Sequence, residues 1–314
     1  MKARAIRVLG WLTGVAFIVA LALAVIVALR DQDWRALDLL WRPGAMPGLT
    51  AALLLNLAGL VLSMFSWRYM LVALAGPVGL ALSWRIYFIG YISTSLPGPL
   101  WGAVAQARLG RAAGIGPAQM AAIYIANLPV GIVTGATTGL LVVGVLPGDR
   151  AVWLAGPAAI VVAWLIWPTL VYRLASVLLR LVRRSPSPRV PSRAIRRSIT
   201  TSLLAWIISG LQLWIIVLLL GGPVWRSLPL CIGGFALAVT AGGLAFFLPA
   251  GFGVREVVLT VTLGVVLPPH AALAAAVASR VVVMASEILA TAPAAVAGRK
   301  VTANGPALNT DTSG

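Results

Sequence analysis

The chain has 314 residues, 61% of them hydrophobic and only 10% charged, with a mean hydropathy of +1.00. A soluble domain carries about 25% charged residues, so this composition excludes a sizeable one and specifies an all-α, polytopic membrane protein. The net charge of +17 would suggest nucleic acid in a soluble chain, but the bases lie mostly at the ends of apolar stretches, which assigns them to topology and anionic lipid headgroups and leaves no nucleic-acid partner expected.

In chain order, Lys2, Arg4 and Arg7 precede an apolar run from Val8 to Leu29. The run is too long for the core of a signal peptide and long enough to span, so it reads as an uncleaved first helix. The following loop holds Asp31, Asp33 and Asp38, three of the seven acids, and should face outward. Met46 to Ala75 spans. Ile86 to Val104 is interrupted at Pro97-Gly98-Pro99, so neither piece reaches across by itself. Gln119 to Val145 and Ala151 to Tyr172 span. The segment Arg173 to Arg197 has eight arginines and no acid. Its first part continues as an interfacial amphipathic helix, and Pro186, Pro188 and Pro191 break its second part, giving a basic cytoplasmic linker over 173–199. Thr201 to Leu220 spans. Leu228 to Leu248 is interrupted by the run Pro249–Gly253 and resumes to Leu267, and Ala271 to Ala297 spans. A polar tail over 301–314 should be disordered.

The two interruptions, Leu-Pro-Gly-Pro-Leu-Trp-Gly at 96–102 and Leu-Pro-Ala-Gly-Phe-Gly at 248–253, carry the most information. Irregular backbone at membrane depth is tolerated only against protein or a wet cavity, and paired breaks in matching places point to a transport site. The alternative is a pair of ordinary turns outside the bilayer. Basic segments placed in the cytoplasm, termini included, give about six full spans and two re-entrant hairpins in one domain over 1–300, with the units 46–145 and 201–297 forming an inverted repeat. The break residues are Pro97, Gly98 and Gly102 in the first hairpin and Pro249, Gly251 and Gly253 in the second. Leu228 to Leu248 is nevertheless long enough to cross.

Charges within these stretches are the candidate site. Arg255 and Glu256 follow the second break, and Arg280 and Glu287 lie seven residues apart on one face of the last helix. A charge at the centre of a spanning helix costs about 2.5–3.5 kcal/mol on insertion scales, so such groups pair or line a wet cavity. One reading makes Glu256–Arg280 a structural lock; the other makes the arginines phosphate ligands, since the planar guanidinium fork suits phosphate oxygens. Near the first break stand Thr94, Ser95, Gln106, Arg108 and Asn127. Arg108 suits a phosphate or a topology role equally, and Trp101 fills the core, plugs a cavity or stacks on a ligand. With one histidine, His270, and one cysteine, Cys231, no metal cluster and no internal disulfide can be built. No nucleotide loop, paired catalytic carboxylates or Ser-His-Asp set appears, so neither an enzyme nor a cofactor is expected.

The run Pro249-Ala-Gly-Phe-Gly-Val-Arg-Glu256 resembles the Pro-x-Gly-Gly-x-Gly-x-Arg-Glu signature of the lysylphosphatidylglycerol synthase transmembrane region, the flippase-like uncharacterised protein family 0104. Ala271 to Arg280 resembles that family's Ala-rich helix with an embedded Arg, and Ser95 to Gly102 with Arg108 resembles its first Pro/Gly element. The likeness covers about residues 8–300. It departs where the family often has an acid after the first element, here Ala103, and where an Arg is common in the next helix, here near Asn127. The resemblance implies movement of an anionic or polyprenyl-phosphate-linked lipid between leaflets of the plasma (inner) membrane, with membrane lipids as partners. Alternatives are a non-transporting partner of a glycosyltransferase and a membrane-embedded transferase using lipid-linked sugar.

Overall fold

A computed structural model describes residues 35–95, 101–145, 150–167, 169, 190–245, 251 and 253–303. The expected first span, the basic segment up to 189, the polar tail from 304 and the break residues Pro97, Gly98 and Pro249 lie outside the described residues.

Among the described residues every regular element is helical. A short α1 (Arg35–Trp41) leads through a 3-10 turn into α2 (Met46–Ala75), α3 (Leu80–Ile92), α4 (Trp101–Ala112), α5 (Pro117–Gly139) and α6 (Arg150–Ile166). Then come α7 (Ser192–Leu219), α8 (Val224–Leu244), α9 (Val254–Leu263) and α10 (Pro269–Ala303). Among the described residues, five stretches are long and apolar enough to cross a membrane: Pro43–Ala75, Pro117–Val142, Ser192–Leu219, Val224–Leu244 and Pro269–Ala294.

The helices fall into two series, α2–α5 and α7–α10, that repeat one plan. Each opens with a long helix ended by a left-handed glycine, Gly76 or Gly221, both at φ 84°, and each then reads Gly-Pro-Val, at 76–78 and 222–224. Each closes with a long helix that starts at a proline, Pro117 or Pro269, where the missing N–H costs nothing. The packing repeats as well: α10 packs on α2 and α3 as α5 packs on α7 and α8.

The most extensive helix pair is α2 with α7, and it is antiparallel. Gly48 lies against Leu219, Gly59 against Ala205 and Ser209, and Ser66 donates a 2.9 Å hydrogen bond to the Ser198 carbonyl. Small residues at the crossing let the backbones approach, as membrane helix pairs require in the absence of a hydrophobic drive between helices. A two-fold rotation that exchanges antiparallel helices has its axis perpendicular to them. With helices along the bilayer normal that axis lies in the membrane plane, which makes the series an inverted repeat.

The two helices that flank each break pack against one another as the arms of a hairpin. In the first, Gly90 packs on Gln106 and Gly102 on Thr94 and the Gly90 carbonyl. In the second, Gly234 packs on Thr262 and Gly242 on Arg255. Gln119 donates to the Leu74 carbonyl and Arg68 to that of Val78, so the α2–α3 and α4–α5 turns share one end of the bundle. The first hairpin enters from this end and the second from the opposite one.

The same end collects Arg68, Arg85, Arg111, Arg193, Arg196 and Arg197, with Arg197 over the Tyr69 ring at 5.8 Å. The other end carries Asp38, Arg42 and Arg226 with the exposed indoles of Trp41 and Trp225.

Two boundaries differ from the expectations, and the long arm that the sequence allowed before the second break is present. Helix α7 begins at Ser192 behind Pro191, within the stretch read as linker, because the arginines there are good helix formers. Helix α10 runs to Ala303, into the stretch read as tail. The arm before the second break is a continuous 21-residue helix against 13 residues in the first hairpin, so α8 has the length of a full span and α3 does not.

Candidate functional site

The second hairpin is shaped by backbone. Gly251 (φ 65°) and Gly253 (φ 86°) occupy left-handed conformations, and a Cβ on Gly251 would overlap the Gly242 backbone. Only glycine satisfies both demands. Helix α9 starts at once, and the Glu256 carboxylate accepts the Gly253 N–H at 2.7 Å, closing the helix N-terminus. Arg255 is thereby set on the first turn of α9, packed over Gly242, whose missing side chain makes room for the guanidinium.

Arg255 reaches a cavity of about 180 Å³ at mid-height of the bundle. Its polar wall comes from several helices: Asn56 and Ser63 of α2, Tyr87 and Tyr91 of α3, and Asn127 of α5. Tyr87 and Ser63 line the cavity together, and the Tyr87 and Tyr91 rings stack at 5.8 Å. Tyr91 stands in the last turn of α3 and Arg255 in the first turn of α9, so hairpin arms entering from opposite ends meet here.

Three buried atoms of this lining have no hydrogen-bond partner among the described residues: Arg255 Nε, Asn56 Nδ2 and Asn127 Oδ1. Buried donors and acceptors are normally satisfied, so these three are poised for water or a ligand. Ser66 pairs with Ser198, and Ser202 with Thr134, which also accepts from the Trp206 indole.

Beside the cavity, and sharing Arg255 with it, a narrow crevice of about 20 Å³ holds Glu256, Ser279 and Arg280. The Arg280 Nε lies 3.8 Å from the Glu256 Oε1, with both side chains mostly buried (13% and 18% exposed). This is the expected pair, and it ties α9 to α10. Half-buried Glu287 interacts electrostatically with Arg255 and Arg280. Two cations and two carboxylates thus balance, which offsets the cost of charge at this depth.

Four of the sequence candidates, Arg255, Glu256, Arg280 and Glu287, therefore come together, on a frame set by Gly251 and Gly253. Two others do not join them. Arg108 is exposed on α4, one turn from Arg111, and Trp101 is 49% exposed; neither lines the cavity. Gly102 serves the first hairpin's close packing. Sequence reasoning missed Asn56, Ser63, Tyr87 and Tyr91. The available signal was Asn56, a carboxamide set within the apolar run of α2's first half.

No curated protein matches the chain. A family model described as the lysylphosphatidylglycerol synthase TM region matches residues 11–289, a range that includes both hairpins and all four charges of the site. The chain therefore belongs to the lysylphosphatidylglycerol synthase TM region family, a multi-pass membrane family of lipid-related, flippase-like character.

Proposed function

We propose that this protein carries the polar headgroup of an anionic or polyprenyl-phosphate-linked lipid between leaflets, with the phosphate on Arg255 and the hydrocarbon chains left in the bilayer. The supporting observation is the polar cavity at mid-height, where hairpins from opposite ends meet and a buried guanidinium keeps an unpartnered N–H. A headgroup crossing bare hydrocarbon loses every hydrogen bond to water; Arg255 and the amides replace some of them halfway. The Arg280–Glu256 pair has a different role, holding the second hairpin on α10. Because Glu256 already closes the N-terminus of α9, the guanidinium and not the helix end receives the phosphate. On this reading the protein moves a lipid without transforming it, passively or coupled to an ion. It works in the plasma (inner) membrane with its arginine-rich end in the cytoplasm.

The test is headgroup translocation in liposomes containing the full-length protein, with acyl-labelled phosphatidylglycerol and labelled polyprenyl phosphate as probes. The protein should accelerate at least one probe over empty liposomes. Arg255→Gln should slow it about ten- to a hundredfold, the equivalent of one charged hydrogen bond. Arg255→Lys, which keeps the charge and loses the fork, should fall between. No acceleration of either probe, or an Arg255→Gln variant as fast as the wild type, would overturn the proposal.

A further inference from the structure

We infer that Glu287 is a proton-binding site, and that the protein carries one proton together with each singly charged phosphodiester. The inference rests on the phosphate reading above and adds what drives the movement. Arg255, Arg280, Glu256 and Glu287 balance one another while no lipid is bound. A phosphodiester on Arg255 adds one negative charge within a membrane span, where unbalanced charge is costly. Uptake of one proton restores the balance, and the geometry singles out the group that takes it.

Among the described residues, the titratable and charged groups around Glu287 come from three helices. Helix α9 presents Arg255 and, beside it, Glu256; α10 itself presents Arg280; α3 presents Tyr87 and Tyr91. The other charges of the elements packed on α10 lie at the two ends of the bundle. Arg68 and Tyr69 of α2, Arg85 of α3 and Arg193, Arg196 and Arg197 of α7 stand at the arginine-rich end, and Asp38 of α1 stands at the opposite end with His270. Guanidinium groups stay charged, and a neutral phenol already holds its proton. Two carboxylates remain. Glu256 is committed twice, to the Gly253 N–H at 2.7 Å and to Arg280 at 3.8 Å, so a proton there would loosen the second hairpin. The Glu287 side chain makes no hydrogen bond or ion pair among the described residues; the Thr291 hydroxyl donates to its main-chain carbonyl instead. Glu287 is therefore the carboxylate that can give up its charge without undoing a contact, and it is only half-buried, within reach of a proton from water. The proton comes from water on the side where the lipid loads and returns to water where the lipid leaves. Lipid and proton together carry no net charge, so a pH difference across the membrane drives the movement and the membrane potential does not.

The experiment measures proton uptake when dihexanoyl-phosphatidylglycerol binds the full-length protein in detergent, by calorimetry in buffers of different ionisation enthalpy near neutral pH. The phosphodiester of this probe does not titrate there, so a proton taken up belongs to the protein. Wild-type protein should take up about one proton per lipid and bind up to about tenfold more tightly for each unit fall in pH. Glu287→Gln, which mimics the protonated carboxyl, should take up none and bind with no pH dependence. Arg255→Gln should weaken binding at every pH. Wild-type binding without proton uptake, or uptake unchanged in Glu287→Gln, overturns this inference and leaves the phosphate reading standing. Failure of the wild type to bind, or an Arg255→Gln variant that binds normally, overturns the phosphate reading and this inference with it. The wild-type measurement needs no variant, and Glu287→Ala takes the place of Glu287→Gln if that variant does not fold.

Discussion

The two hairpins share a plan and differ in what holds them. In the second, backbone meets backbone at Gly242 and Gly251, and the Glu256–Arg280 pair fastens the hairpin to the next helix. In the first, Gly102 meets the Thr94 methyl and the Gly90 carbonyl, and Gly90 meets the aliphatic part of Gln106. Counting from the helix starts, Ala103 stands where the second series has Glu256, and Leu128 where it has Arg280. The inverted repeat has thus kept its geometry in both halves and its charge in only one. A two-fold scaffold does not imply a two-fold site, and the cavity shows the same division, with a guanidinium from one series and amides and phenols from the other.

Substitutions along this contrast should have graded effects. Gly251→Val is the most damaging, because left-handed strain adds to overlap with the Gly242 backbone. A loss of at least about 3 kcal/mol is expected, seen as failure to recover monodisperse protein. Glu256→Gln removes one partner of a mostly buried pair and weakens the cap on α9. Thermal unfolding in detergent should show about 2–3 kcal/mol of destabilisation, and adding Arg280→Gln should restore part of it. Arg280→Gln as damaging with Glu256→Gln as without it would remove the lock from the account.

Gly102→Ala is milder at about 1–2 kcal/mol, since the closest neighbour, the Thr94 methyl, can shift and the Gly90 carbonyl lies farther off, whereas at Gly251 every close neighbour is Gly242 backbone. Equal losses at Gly102 and Gly251 would erase the distinction between the hairpins. Arg108→Gln should change least. Its exposed position outside the cavity predicts headgroup translocation within about twofold of wild type, and a loss matching that of Arg255→Gln would move the phosphate site to the first hairpin.

Much of the framework was legible in the sequence. Clustered proline and glycine break an apolar run where a single proline does not (Pro129, Pro157, Pro229 and Pro293 sit inside helices), so the two interruptions stood out, and intramembrane charges are too costly to be incidental, which singled out Arg255, Glu256, Arg280 and Glu287. The length of α8 was legible in the apolar run Leu228 to Leu248, but its bounds at Val224 and Leu244 were not, because hydropathy registers the apolar run and not the helix ends. Tyr87 and Tyr91 were hidden by their amphipathic character: a phenol in an apolar helix looks the same against lipid, in a core or on a cavity. Arg108 and Trp101 drew attention by adjacency to the first break, but chain adjacency does not fix which face of α4 a residue occupies.

The central claim, that a lipid headgroup enters the cavity between the hairpins, is tested most directly by photocrosslinking. The full-length protein with p-benzoylphenylalanine in place of Tyr91 is irradiated in phospholipid liposomes and the adduct fragmented by mass spectrometry, beside a Trp101 replacement as the exposed control. The account predicts lipid adducts from both sites, with the new bond on headgroup atoms at position 91 and on acyl chains at position 101. Adducts from position 101 and none from position 91, or acyl-chain bonds alone at both, would contradict it.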